Sequence, residues 1–267
     1  MPFVKFKRAD IYFEHYGKGK PLLLLHGFLG SCKIFNKITR TLSKNFHVIV
    51  IDLPGHGKSE NLGYFHSMEL MAESVKAVCD ELKVKDFFVA GHSMGAYVAL
   101  SLTQKNPEMV KGICLINSIP FADGREKIKD RDRAISAIKS NHNIYVTSAI
   151  KNLFSPKQIS NNKKPVNSAI KIAEKTCIRG IIAALEGMKL RSDFRKLIHQ
   201  NPEIFFSLMG SDDQVYSSPV KKELKKIILK NNYFVLEKSG HMSVLEEPDE
   251  VIFFLEKIFI NQRDSVT

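Results

Sequence analysis

Asp86-Phe87-Phe88-Val89-Ala90-Gly91-His92-Ser93-Met94-Gly95-Ala96-Tyr97-Val98-Ala99-Leu100 (residues 86–100) changes character at its centre. The run up to Ala90 is short and apolar, as in a strand covered on both faces, whereas AYVALSLTQK from Ala96 onward has the texture of a helix. Between them lies Gly-His-Ser-Met-Gly, a G-x-S-x-G pattern. A sharp strand-to-helix turn of this kind holds the serine in a strained conformation with its hydroxyl above the sheet edge. Gly91 and Gly95 let the backbone pass closely on either side. The helix that starts behind the serine turns its free N–H groups toward the hydroxyl. Ser93 is therefore the candidate nucleophile, and the amide of Met94 a candidate donor to a developing oxyanion.

Outward from this turn the same two textures recur. PLLLL (21–25), FHVIVID (46–52), VKGICLIN (110–117), EIFFSLMG (203–210) and NYFVLEKS (232–239) read as further buried strands. FVKFK and DIYFEHY, on either side of the Arg8-Ala9 step, read as an opening hairpin. SMELMAESVKAVCDEL (67–82) places Leu70, Met71, Val75, Val78 and Leu82 at helical steps, and a last helix follows Pro248. Strands alternating with helices predict a wound α/β sheet. The alternation breaks once, from 121 to 195, where helical patterns occur without a convincing strand. This predicts a helical cap inserted between core segments 1–120 and 196–267.

A serine hydroxyl is a poor nucleophile until an imidazole takes its proton, and a carboxylate then fixes the tautomer of that imidazole. Both partners lie downstream. Gly210-Ser211-Asp212-Asp213 ends one predicted strand and Gly240-His241 follows the next, which puts both on the ligand-facing edge of a parallel sheet. His241 is the candidate base. Asp212 and Asp213 are both candidate acids, since adjacent residues point in different directions. A second oxyanion donor belongs in the loop after the first parallel strand, His26-Gly27-Phe28-Leu29-Gly30, and the amide of Phe28 is the candidate. His26, before a glycine at a strand end, and His56, in the turn DLPGHGKS, read as structural hydrogen-bonding groups.

HGFLG, DLPGHGKS, GHSMG, GSDDQV and SGHMSVLEEP occur in this order over nearly the whole chain. Together they resemble the α/β-hydrolase superfamily, most closely its small bacterial serine esterases and enol-lactone hydrolases. The resemblance implies a mostly parallel eight-stranded sheet with helices on both faces and a helical lid at the place of the insertion. It also implies that the acid falls on the fourth residue of G-x-x-D, Asp213. Serine at position 93 departs from the dehalogenases and epoxide hydrolases, whose nucleophile is an aspartate. What remains is hydrolysis of a small carboxylic ester through an acyl-enzyme on Ser93, with no metal or organic cofactor. Thioesterase and enol-lactone hydrolase activities share that chemistry, and a ligand receptor built on the same fold is the reading from another class. Arg191, in GMKLRSDF, resembles a Gly-Met-x-x-Arg stretch of several relatives; it reaches either a substrate carboxylate or an interdomain salt bridge.

Bulk composition narrows the remaining classes. The formal charge is +12, yet there is no zinc-finger spacing, RNP-like aromatic run or continuous basic helix, so nucleic acid is not the expected partner. Residues 121–195 hold 16 lysines and arginines against 7 acids, so most of the excess charge sits in the expected cap, where an acidic carrier protein is a candidate partner. The first twenty residues interleave charge with apolar residues, and no stretch is long enough to span a bilayer, which predicts a cytoplasmic protein without a membrane partner. Cys32, Cys79, Cys114 and Cys177 are far apart, which suggests neither a zinc cage nor a disulfide framework.

Overall fold

A computed structural model describes residues 2–261. Its organising strand is β3 (Lys20–Leu25), in which Leu22 and Leu24 face one side of the sheet while Leu23 and Leu25 face the other, all four fully buried. Successive side chains of a strand point to opposite faces, so a run of leucines is stable only where helices cover both. Each buried leucine contributes roughly 2 kcal/mol of transfer free energy.

The other strands are β1 (Phe3–Phe6), β2 (Ala9–Tyr16), β4 (Phe46–Ile51), β5 (Phe87–His92), β6 (Val110–Ile116), β7 (Phe205–Gly210) and β8 (Tyr233–Leu236). They form one eight-stranded sheet in the order β1-β2-β4-β3-β5-β6-β7-β8. The hairpin β1–β2 is antiparallel and β2 joins β4 antiparallel, while every pair from β4 to β8 is parallel. Lys7, with φ of 53°, turns the hairpin.

Twelve helices surround the sheet among the described residues: α1 (Asn36–Leu42), α2 (Met68–Glu81), α3 (Met94–Lys105), α4 (Arg125–Ser140), α5 (His142–Lys151), α6 (Pro156–Asn161), α7 (Lys163–Ala173), α8 (Ile178–Lys189), α9 (Arg195–Gln200), α10 (Ser218–Ile227), α11 (Ser243–Glu246) and α12 (Pro248–Asn261). α1 and α12 cover the Leu22/Leu24 face, where Phe88 of β5 stacks on Phe259 with ring centroids 4.6 Å apart. α2 and α3 cover the other face. Between β6 and β7 the chain is helical, from α4 to α9, with no strand. α4 packs on α8 and α5 on α7, and Ile135, Ile138, Val146, Ile150 and Val166 join the core of the Leu23/Leu25 face.

The parallel strands all end on one edge. β3 has β4 on one side and β5 on the other, so the strand order reverses there. Loops leaving the carboxyl ends of strands beside such a reversal diverge and open a crevice. The segments that follow β3, β5, β6, β7 and β8 carry His26–Gly30, Ser93, Asn117, Asp213 and His241 to this edge.

Candidate active site

Ser93 occupies the turn between β5 and α3 with φ of 51° and ψ of −115°, a region that side chains other than glycine rarely adopt. The strain is held by the surroundings. The Ser93 N–H donates to the Ile116 carbonyl at 2.9 Å, and the Ser118 hydroxyl donates to the Ser93 carbonyl at 2.9 Å. A Cβ on Gly95 would lie 2.1 Å from the Leu25 carbonyl oxygen, and one on Gly91 would lie 2.4 Å from the Ala96 nitrogen. Only glycine fits at either place, which is why the turn can press against the end of β3.

His241 and Asp213, both buried, complete one hydrogen-bonded chain with the serine. His241 Nδ1 lies 2.8 Å from Asp213 Oδ2, and His241 Nε2 lies 2.9 Å from Ser93 Oγ. A carboxylate only accepts, so Nδ1 carries the ring proton and Nε2 is left to accept from the serine hydroxyl. Asp213 also accepts from Asn117 Nδ2 at 3.0 Å and from the Val215 N–H at 2.9 Å. Burial pushes its carboxyl up, but the charge and hydrogen bond of His241, with the Asn117 and Val215 donors, outweigh burial and hold it below the ordinary carboxylate value. Asp212 faces away and accepts from the Ser155 hydroxyl at 2.8 Å.

The loop after β3 passes against the serine, since a Cβ on Gly27 would lie 3.1 Å from Ser93 Cβ. Gly30 N–H donates to the Gly27 carbonyl at 3.0 Å, closing a tight turn that carries Phe28, and Leu29 has φ of 62°. The Met94 amide opens α3 directly behind Ser93. His26 is bonded within the loop: its Nδ1 donates to the Gly27 carbonyl at 2.8 Å and its Nε2 accepts from the Leu53 N–H at 2.9 Å. His56 Nδ1 donates to the Pro54 carbonyl at 3.2 Å.

Arg191 stands apart from the Ser93–His241–Asp213 chain. It is buried, its Nε donates to the Phe121 carbonyl at 2.9 Å, and its Nη1 donates to Asp123 and to the Met188 carbonyl. These contacts join the two ends of the helical insertion, where the Phe194 N–H also donates to the Pro120 carbonyl at 2.8 Å. The guanidinium lies 4.1 Å from the Tyr97 ring centroid, and Tyr97 shares a 2.7 Å hydroxyl contact with Tyr216, whose ring packs beside His241.

Three polar residues that sequence reading passed over support the site. Asn117, with φ of 47°, bridges Asp213 and the Gly240 carbonyl, which it reaches at 3.0 Å, and accepts from the Ser243 hydroxyl. Its signal was present, since VKGICLIN ends on a polar residue at the ligand-facing edge. Glu246 accepts from the Gly240 and Met242 amides at 2.9 and 3.2 Å, on either side of His241. His92, inside the G-x-S-x-G pattern, donates from Nε2 to the His241 carbonyl at 2.8 Å. Among the described residues no group of three or more histidines, cysteines or carboxylates could hold a metal ion. No helix among them is long and apolar enough to cross a membrane.

Comparison with known proteins agrees with this architecture. The family model for the alpha/beta hydrolase fold matches residues 20–248. Lipase 1 of Psychrobacter immobilis is 27% identical over 243 residues, which cover 87% of this chain and 74% of that one. Several other curated relatives are matched over only 32% to 64% of their own length. The fold superposes on a thermophilic esterase from Thermogutta terrifontis with a TM-score of 0.88 at 23% identity, covering 97% of each chain. It superposes on the enol-lactonase from Burkholderia xenovorans LB400 with a TM-score of 0.86 at 18% identity, covering 97% of this chain and 100% of that one. At such identities the superpositions speak to the fold alone. With its eight-stranded sheet, the serine turn between β5 and α3, and a family match that spans most of its length, the chain belongs to the α/β-hydrolase fold family.

Proposed function

We propose that this protein is a serine hydrolase that cleaves a small carboxylic ester through an acyl-enzyme on Ser93. The observation that carries the reading is the unbroken chain from Asp213 to His241 to Ser93, with contacts of 2.8 and 2.9 Å. In the proposed cycle His241 Nε2 takes the Ser93 proton as Oγ attacks the substrate carbonyl. The Phe28 and Met94 amides hold the oxyanion, and the new imidazolium gives its proton to the departing alcohol. Water, deprotonated by the same nitrogen, then attacks the acyl-enzyme and releases the acid. Asp213 keeps Nδ1 protonated and stabilises the imidazolium throughout. Residues 121–195 act as a cap over this site, and Arg191 clasps the two ends of the cap instead of reaching substrate.

The test is a panel of p-nitrophenyl esters, thioesters and enol lactones measured beside Ser93→Ala. The wild-type chain is expected to turn over repeatedly with an acyl-enzyme burst, and the variant to lose activity by about three or more powers of ten. A single stoichiometric event without turnover would favour a receptor built on the same fold.

A second reading, an acyl group delivered by an acidic carrier protein, is favoured by one cavity. Lys33, Lys58, Lys171 and Lys175, against the two carboxylates Glu14 and Asp52, line a space of about 440 Å³ between α7 and the core. Hydrolysis of a carrier-borne ester would weaken steeply with added salt while that of a neutral ester would not. Equal salt sensitivity would discard this second reading.

A further inference from the structure

The peptide that carries His241 is held from two directions. From the sheet side, Asn117 Nδ2 donates to the Gly240 carbonyl at 3.0 Å and His92 Nε2 donates to the His241 carbonyl at 2.8 Å. From the other side the holding groups belong to the helical insertion. The His241 N–H donates to the Leu153 carbonyl at 2.7 Å, and Leu153 lies in the short connection between α5 and α6. Two residues on, Ser155 makes two contacts to the core: its N–H donates to Glu246 Oε1 at 2.7 Å and its hydroxyl donates to Asp212 Oδ2 at 2.8 Å.

Glu246 joins these contacts into one unit. While one oxygen takes the Ser155 amide, the other accepts from the Gly240 and Met242 amides and from the Ser239 hydroxyl at 2.9, 3.2 and 3.2 Å. A single carboxylate thus grips the insertion on one side and both neighbours of His241 on the other. Contact is close as well as polar, since a Cβ on Gly240 would lie 2.5 Å from the Ser155 nitrogen and 2.9 Å from the Leu153 carbonyl oxygen.

We propose that residues Leu153–Ser155 position His241, so that the ring is aligned on Ser93 only while the α5–α6 connection is seated on Asp212 and Glu246. The inference rests on the serine-hydrolase reading above and adds a dependence of its chemical step on the cap. Proton transfer needs the imidazole within hydrogen-bond reach of the hydroxyl and in line with it, and small displacements cost rate steeply. Among the described residues the His241 N–H has the Leu153 carbonyl as its acceptor. The two adjacent aspartates therefore divide the work: Asp213 orients the ring, and Asp212 anchors the segment that holds the ring's backbone. Ser155, Asp212 and Glu246 are positioning residues, not catalytic ones.

The experiment compares Ser155→Ala, Asp212→Ala, the double variant, Ser155→Thr and Ser93→Ala in the full chain. The readouts are kcat and KM on p-nitrophenyl butyrate, the thermal midpoint, and the far-downfield proton NMR signal of His241 Nδ1–H. Each of the first two variants is expected to lower kcat about 3- to 10-fold with KM within about twofold, as loss of one hydrogen bond predicts. The double variant should be no worse than either single one, because both remove the same bond. The Nδ1–H signal should broaden or shift in all three, and Ser155→Thr should restore both rate and signal. Wild-type kcat and an unmoved signal in Ser155→Ala would overturn the inference, as would a lowered thermal midpoint with kcat unchanged. If Ser93→Ala itself keeps full turnover, the hydrolase reading fails; if that variant is inactive while Ser155→Ala is not, only the positioning role fails.

Discussion

Asp212 and Asp213 are consecutive in the chain and serve opposite walls of the site: the Asp213 carboxylate accepts from His241 Nδ1 and the Asp212 carboxylate from the Ser155 hydroxyl, each at 2.8 Å. Alternate side chains leave the end of β7 in different directions, so one acid turns inward and the other toward the inserted helices. Asp213→Asn is expected to lower kcat about a thousandfold or more, because an amide can donate to Nδ1 and stabilise the wrong tautomer. Asp212→Asn leaves the tautomer alone and should lose no more than about tenfold. Steady-state kinetics on one ester separate the two.

Asn117 provides a second check on the same carboxylate. Its amide donates to Asp213 Oδ2 and to the Gly240 carbonyl, both at 3.0 Å, so it ties the acid loop to the histidine loop. Asn117→Ala removes a hydrogen bond to a charged group and is expected to lower kcat about 10- to 100-fold. The variant should unfold at a lower temperature as well, measured by circular dichroism.

Gly95 tests the packing that sets the serine turn. A methyl group there would sit 2.1 Å from the Leu25 carbonyl oxygen, which belongs to a buried central strand and has nowhere to move. Gly95→Ala should cost about 1–3 kcal/mol in urea unfolding and reduce activity by displacing α3 from β3. Gly124, where an added Cβ would meet nothing within 4 Å, is the control; as the N-cap of α4 it should lose no more than about 1 kcal/mol on replacement by alanine.

Arg191 bonds the Phe121 carbonyl and the buried Asp123 carboxylate across the base of the insertion. Arg191→Ala leaves Asp123 with Arg131 as its remaining cation, so the expected cost is about 3 kcal/mol of stability, toward the lower end for breaking a buried pair. If Arg191 instead bound a substrate carboxylate, the same variant would raise KM for carboxylate-bearing esters alone while leaving the urea midpoint unchanged.

Acid should destabilise the fold well before its carboxylates titrate. Burial lowers His26 from 6.5 to about 4, and His56 and His92 to about 3. Each of these rings binds a proton more readily in the unfolded chain, so the stability it lends at neutral pH is lost as pH falls from 6.5 toward the folded value. Linkage sets the loss at no more than about 1.4 kcal/mol per pH unit for each ring, or about 4 kcal/mol per pH unit for the three together. Urea midpoints are expected to drop steeply between about pH 6 and pH 4. His56→Asn should make that drop shallower by about one proton; a slope unchanged by the substitution would show that His56 does not contribute.

The sheet and the serine turn are legible in the local pattern of the chain, as is the order in which its polar strand ends follow one another. Those features are written in near-neighbour physics: a run of leucines that needs cover on both faces, glycines two residues either side of Ser93, polar residues just beyond strand ends. Phe28, Met94 and His241 are candidates because each follows a strand end whose edge the alternation already sets, whereas that placement leaves Asp212 and Asp213 equally open and only the family resemblance points to Asp213. Tertiary structure alone decided which partners those groups have. Ser155 lies 57 residues from Asp212 and 91 from Glu246, and in the sequence neither it nor Glu246 differs from any solvated surface residue. Arg191 has two readings in the sequence for the same reason, and its contact with Asp123 becomes visible only in the folded chain. A hydrogen bond between distant residues costs nothing in local pattern and leaves no trace there, so it becomes legible only when the chain has closed around it.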